Sequence, residues 1–279
     1  MIDNLKINVV IPFYSNADWL DEALNSVIGQ TVIPDRIIVV NDGSPEDITY
    51  LENKYMNWVE FYRKENGGAA SARNKGISLS DGDIVLFLDS DDLWEKTKIE
   101  KQIKYMIKHD LKWCATAYRS FGSGKDLYVV PYESTDLCWQ HIYNSCRIQT
   151  STVAVYRNLL QDDEPFPTDM RNGQDIFLWF KLANSHVLGV IDEPLTKFRL
   201  RGTNAHLNYF THVRVRALLW EKMNKNMIFM PKSALTKFAY KLCWNTYKSK
   251  YYENNRKVLI KFRFVFAWLL FRIGNCYIK

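Results

Sequence analysis

Ile84-Val85-Leu86-Phe87-Leu88-Asp89-Ser90-Asp91-Asp92 is an unbroken apolar run that ends in three carboxylates within four residues. Such a run reads as a strand buried on both faces, the kind found in parallel sheets covered by helices. Carboxylates crowded at its end repel one another unless something positive sits there. Side chains alternate along a strand, so Asp89 and Asp91 are expected to point into one crevice. Mg²⁺ and Mn²⁺ prefer oxygen ligands and are commonly held by one or two carboxylates plus substrate phosphates. Ligands of open α/β sheets collect at the carboxyl ends of the strands. The stretch therefore predicts a parallel sheet with a metal–diphosphate site at one edge.

Strand and helix signals alternate around it. Apolar runs predict strands over 7–11, 36–40 and 84–88, and 59–62 reads as a further strand. Helical spacing over 17–28 (Leu20, Leu24, Val27, Ile28) and patterns over 46–55 and 69–79 predict the helices between them. A charged helix is expected over 95–109. The second half is less regular: a turn at 120–126, an acidic loop at 161–174 with Pro165 and Pro167, a helix over 175–182 and a strand over 187–191. Alternation of this kind implies α/β architecture, a mostly parallel central sheet with helices on both faces.

Composition narrows the class. The chain has 279 residues, 47% hydrophobic and 14% aromatic, which is ample for a packed core. Five cysteines without a C-x-x-C pair argue against a disulfide framework and a zinc site, and point to a reducing cytoplasm. Residues 1–8 do not read as a signal peptide. The net charge of +6 is uneven: 22 Lys/Arg stand against 29 Asp/Glu in 1–206, and 15 against 2 in 207–279. The composition shift near His206 divides a catalytic domain, 1–206, from a basic, aromatic-rich helical extension, 207–279. A basic extension on an acidic body implies an anionic partner. In 258–271 the apolar residues are interrupted by Lys261 and Arg263, and the clean stretch is too short to span a bilayer. It predicts an interfacial helix, so 232–279 are expected to meet an anionic membrane surface. Helices packed on the catalytic domain are the alternative. No recognition module accompanies the charge, so nucleic acid is not expected.

Two further motifs follow strands. Asn41-Asp42-Gly43-Ser44, read alone, is a tight turn. At a strand end, though, Asp42 could accept the ring N–H of a uracil. Asn66-Gly67-Gly68 precedes the small-residue helix that holds Arg73-Asn74-Lys75-Gly76. It fits neither the P-loop nor the dinucleotide fingerprint. Its glycines permit close backbone approach, and a helix N-terminus attracts anions. Arg73, one turn in, is expected against the carboxylates or a diphosphate. Asp175, at a helix start, would by itself be an ordinary cap. The five histidines show no ligand spacing.

These motifs, with Val9-Val10-Ile11-Pro12-Phe13-Tyr14-Ser15-Asn16 and Asn172-Gly173-Gln174-Asp175-Ile176-Phe177-Leu178-Trp179, resemble in order and spacing the family 2 inverting glycosyltransferases over roughly residues 5–205. The resemblance implies the type A nucleotide-diphospho-sugar transferase fold and a UDP-sugar donor. It also implies a glycan or lipid-linked saccharide acceptor and Mn²⁺ or Mg²⁺ as cofactor, and the basic extension adds the expectation of a place on the inner face of the cell membrane. On it, Pro12, Phe13, Tyr14, Asp42, Gly67, Arg73 and Ser90 would bind the donor. Asp89 would meet the ribose, Asp91 the metal, and Asp175 would be the catalytic base. Two departures stand out: Gln174 replaces the usual Glu, and Arg199-Leu200-Arg201 replaces an Arg-x-His segment. Arg201 could then neutralise the diphosphate, or His206 could supply the imidazole to the metal. The acidic loop could close over the donor. A sugar-1-phosphate nucleotidyltransferase would need a Gly-rich basic loop after the first strand, where Pro12-Phe13-Tyr14-Ser15-Asn16 stands. A non-catalytic membrane adaptor is opposed by the intact Asp89, Asp91 and Asp175.

Overall fold

A computed structural model describes residues 5–123, 126–131, 146–201, 209–226, 233–249 and 257–276. Strands β1 (Ile7–Phe13), β2 (Arg36–Asn41), β3 (Val59–Arg63) and β4 (Ile84–Phe87) form a parallel sheet in the order β3-β2-β1-β4. Between them run α1 (Ala17–Ile28), α2 (Thr49–Tyr55) and α3 (Gly68–Leu79). The alternation expected from the sequence is present there.

Beyond β4 the sheet becomes mixed. It continues through β8 (Val153–Tyr156), β6 (Trp113–Gly122), β9 (Leu188–Leu200) and β5 (Leu93–Trp94), with β7 (Tyr128–Val129) on β6. β8 runs antiparallel to β4 and β6, whereas β6 and β9 are parallel. The turn expected at 120–126 begins inside β6, and Ser120 and Phe121 pair with Phe198 and Arg199 of β9. The chain leaves the ladder after Gly122, whose φ of +93° suits a residue without a Cβ. Helix α4 (Lys98–Lys108) covers the sheet after β5, and α5 (Gln174–Ser185) precedes β9.

Pleating sorts the core into two layers. Val9, Ile11, Leu86 and Leu88 pack with α1, α2 and α4 through Leu20, Leu24, Leu51, Ile99 and Ile103. Val10, Val85 and Phe87 face the opposite way, toward Ala70 and Ile77 of α3 and Leu178 and Trp179 of α5. Gly76 sits so close to β1 that a Cβ there would lie 2.3 Å from Val10 Cγ1. Burial on both sides explains why these strands read as continuous apolar runs.

The C-terminal helices join the second layer. They are α6 (Tyr209–Asn226), α7 (Ala234–Tyr247) and α8 (Lys257–Cys276). Val213, Leu219, Met223, Tyr240, Ile260 and Phe271 belong to the same buried cluster as Phe87 and Trp179. Much of the extension's aromatic content thus serves packing. Among the described residues no helix is long and apolar enough to cross a membrane. Phe271 is 1% exposed and meets Tyr240 edge-on at 5.1 Å. Truncation of such a ring creates a cavity, so Phe271→Ala is expected to cost about 3 kcal/mol of unfolding free energy. Urea unfolding measures it, and an unshifted midpoint would mean that α8 does not pack on the enzyme body.

Candidate functional site

β4 stops at Phe87, so Asp89 to Asp92 form a turn instead of a strand end. The turn closes with the Asp92 N–H donating to the Asp89 carbonyl at 3.0 Å. Strand alternation is therefore not what brings Asp89 and Asp91 together; the turn does this.

Arg73 reaches the turn from the first face of α3 behind the two glycines. It is 5% exposed, and its Nη2 donates to Asp89 Oδ1 at 2.5 Å. Its Nε and Nη1 are buried and have no hydrogen-bond partner among the described residues. The guanidinium lies 5.4 Å from the centre of the Phe166 ring. Burial alone would lower its pKa, but Asp89, Asp175 and Asp91 together hold the guanidinium charged. Two donor nitrogens thus remain unsatisfied among the carboxyls of the described residues.

The carboxyls respond to the same crowding. Burial and then the Asp89 charge push Asp91 above its ordinary value, against the opposing pull of Arg201 and Arg199. Arg201 Nε stands 3.0 Å from Asp91 Oδ2. Asp92, 1% exposed, is raised well above the usual carboxylate range by burial and by Asp91 and Asp89. Asp175, in the first turn of α5, is raised by burial, with Arg73 opposing and Asp89 adding to the shift. The site carries more buried acid than its cations balance. Asp89 and Asp91 suit a hard divalent cation. Among the described residues no group of three or more His, Cys, Asp or Glu is arranged to hold a metal ion alone. Two such carboxyls match the protein share of a site in which substrate phosphates and water complete the shell of a divalent cation.

Asp42 follows the end of β2, separated from β4 by β1, and is 3% exposed. Its carboxylate accepts the N–H groups of Gly67 (3.0 Å) and Gly68 (2.7 Å) and pairs with Lys64 at 2.8 Å. The anion at the N-terminus of α3 is thus Asp42 itself. Three donors leave it about one of its roughly four acceptor positions. Pro12 and Phe13 are buried in β1, and Phe13 packs in the core while its carbonyl accepts the Asp42 N–H at 2.8 Å. Of that trio only Tyr14, 48% exposed, offers its side chain outward. Ser90 is half-buried in the turn. His206 lies outside the described residues.

The acidic loop is anchored. Phe166 is fully buried, its N–H and carbonyl bonded to the Asn74 side chain at 3.0 and 2.7 Å. Asp162 pairs with Lys181 and Asp169 with Lys222. Gly173, with φ of +81°, precedes α5, and a Cβ there would lie 2.4 Å from Val215 Cγ1 of α6. The C-terminal bundle thus packs directly behind the turn that aims Asp175. A closing lid over 161–174 has little freedom in this arrangement.

Sequence reasoning missed the residues that hold the acidic turn. Ser151, fully buried before β8, donates from Oγ to Asp92 Oδ2 (2.6 Å) and accepts the Asp89 N–H (3.0 Å). Its carbonyl accepts from Trp94 Nε1 at 2.8 Å and Thr196 Oγ1 at 3.2 Å. Arg199 donates its backbone N–H to Asp92 Oδ1 (2.9 Å) and its Nε to the Asp91 carbonyl (2.8 Å), and pairs with Glu22 at 2.6 Å. No local signal marks Ser151, because its partners lie about sixty residues away in sequence. Ser151→Ala strands a buried carboxyl and a backbone N–H, at a cost of roughly 1–3 kcal/mol. Chemical denaturation should register that loss, and an unchanged midpoint would mean that the turn is held by other contacts.

Comparison with known proteins agrees with this layout. The family described as Glycosyl transferase family 2 matches residues 8–162. An uncharacterized glycosyltransferase of Rickettsia bellii (strain RML369-C) is 36% identical over 208 residues, 73% of this chain and 30% of that protein. The chain thus spans less than a third of that relative. The Escherichia coli protein WfgD, a UDP-Glc:alpha-D-GlcNAc-diphosphoundecaprenol beta-1,3-glucosyltransferase, is 24% identical over 222 residues, 76% of this chain and 84% of that one. Among solved structures, S. aureus TarS 1-349 in complex with UDP-GlcNAc superposes with a TM-score of 0.67 at 18% identity. It covers 94% of this chain and 79% of that one, and the likeness shows a shared type A glycosyltransferase fold. The family match spans more than half of the sequence, from β1 past the acidic turn, and the chain belongs to glycosyltransferase family 2.

Proposed function

We propose that this chain transfers a sugar from a UDP-sugar to a hydroxyl of a saccharide or lipid-linked saccharide, with inversion at the anomeric carbon. The observation that carries the reading is Arg73, buried with two unsatisfied donor nitrogens among Asp89, Asp91 and Asp175. A leaving diphosphate supplies the acceptor oxygens those donors lack. The UDP-GlcNAc bound to TarS and the diphosphoundecaprenol acceptor in the name of WfgD support the choice of substrates.

Asp175 takes the proton of the acceptor hydroxyl as its oxygen attacks the anomeric carbon, and the bond to the UDP oxygen breaks on the opposite face. Arg73 and Arg201 face the negative charge that gathers on the departing diphosphate, in a site already fixed before reaction. Asp91, with Asp89 beside it, would hold Mn²⁺ or Mg²⁺. A bound cation supplies Lewis-acid neutralisation of the diphosphate. Asp42, Gly67, Tyr14 and Ser90 would line the nucleoside end, with Pro12 and Phe13 supporting it from beneath. The protein would work at the cytoplasmic face of a membrane, as a peripheral protein held through its basic C-terminal segment, where lipid-linked acceptors are presented.

Two substitutions test the roles separately. Asp91→Ala is expected to abolish the Mn²⁺ dependence of UDP binding in calorimetry while the protein stays folded, because it removes one of several repelling carboxyls. Unaltered metal-linked affinity would contradict the assignment. Asp175→Asn should leave UDP affinity intact and cut turnover on the order of a hundredfold or more. The pH profile gives the sign. A base works deprotonated, so activity of the wild type falls as pH drops through the Asp175 pKa. That acid limb should lie above the ordinary carboxylate value and vanish in Asp175→Asn. Wild-type turnover in Asp175→Asn would leave Asp175 as a helix cap only.

A further inference from the structure

Helix α8 is apolar on two sides, and only one of them is covered. Ile260, Ala267 and Phe271 are buried in the core cluster. At 100° per residue these positions lie within about 40° of one another. The opposite side carries Val265 (44% exposed), Phe266 (46%), Leu269 (46%) and Ile273 (45%), with Trp268 (42%) at its edge. Exposed large apolar side chains occur singly on most surfaces; five along one helix mark an interaction site. Lys261 and Arg272 are exposed on the Trp268 side of this face, and the Arg272 guanidinium lies 4.7 Å from the Trp268 ring centre.

Charge says what covers the face. Helix α8 holds four basic residues, Lys257, Lys261, Arg263 and Arg272, and no acidic one. From residue 222 to 279 the sequence contains a single carboxylate side chain, Glu253. A second copy of the chain packed about a two-fold axis would set this cationic face against itself, which like charges oppose. A bilayer with anionic headgroups meets both demands: phosphates for the Lys and Arg ends, acyl chains for the apolar row. An indole beside a cation suits the headgroup boundary.

We infer that the Val265–Phe266–Trp268–Leu269–Ile273 face of α8 lies in the surface of an anionic membrane, with Lys261 and Arg272 at the phosphates. This rests on the peripheral-membrane reading above and narrows it from a charged segment to one helix face. The rest of the bundle is then the mount. Helix α6 touches Gly173 through Val215, so the face is tied by packed side chains to the turn that aims Asp175. Bound in this way, the enzyme meets a membrane-held acceptor in a fixed orientation.

Deleting the segment cannot test this, because its inner residues belong to the core. The test is flotation of the full chain with vesicles of phosphatidylcholine alone, or mixed with phosphatidylglycerol, at low and high salt. Wild type should float with the mixed vesicles and retain part of that binding in high salt. Phe266→Ser/Leu269→Ser should lower partitioning by about tenfold or more. Lys261→Gln/Arg272→Gln should weaken it chiefly at low salt. All variants should keep the wild-type urea midpoint and rate of UDP-sugar hydrolysis in solution. Failure of wild type to float would overturn the peripheral reading itself. Equal flotation of wild type and both variants would overturn the face alone. A wild-type dimer in sedimentation that Leu269→Ser splits would assign the face to a second copy instead.

Discussion

The guanidinium of Arg73, buried and paired with Asp89 at 2.5 Å, is the charge around which the carboxyl edge of the sheet is assembled. Four carboxyls, Asp89, Asp91, Asp92 and Asp175, crowd this edge, and burial drives three of them toward their neutral forms. Removing charges from water costs several kcal/mol per ion unless they are paired and hydrogen-bonded. Arg73 supplies the pairing from the interior, and Arg199 and Arg201 supply it from β9 and its end. The two unsatisfied donor nitrogens of Arg73 mark where compensation among the described residues is incomplete. That shortfall is what an anionic ligand with its own cation would complete.

The surrounding fold keeps the charges where they are. Small residues let α3 lie close on β1, with Gly76 against Val10, which carries Arg73 down to the strand ends. Asp42 fixes the start of the same helix by accepting from Gly67 and Gly68, with Lys64 as counter-charge. Ser151, just before β8, and Arg199, on β9, then pin the acidic turn. Three distant segments thus converge on one turn, as preorganised electrostatic sites require.

How much of this was legible in the sequence differs between the two halves of the chain. From β1 to β4 most strands are short apolar runs and α1 shows clear helical spacing, so local pattern and tertiary role largely agree. The Asp42 and Asp89–Asp92 motifs could be found because each closely follows such a strand. From residue 112 onward the signal fades. β6 contains Thr116, Arg119 and Ser120 and pairs with β9 across a bulge, so its strand character depends on a partner some eighty residues away. Ser151 and Lys64 look like ordinary polar loop residues until the fold supplies their partners. The acidic loop reads as a free segment, yet Phe166 and Met170 are buried and anchor it. In the C-terminal segment, composition registers charge and aromatic content but not direction. Spacing alone cannot say that Phe271 turns inward while Leu269 turns out.

The most direct test of the account is anomalous scattering from Mn²⁺ in crystals grown with UDP. The account requires the metal signal at the Asp91 carboxylate, shared with the UDP diphosphate, and Arg73 in contact with phosphate oxygen. UDP bound elsewhere, or bound at this edge with no metal signal beside Asp91, would contradict it.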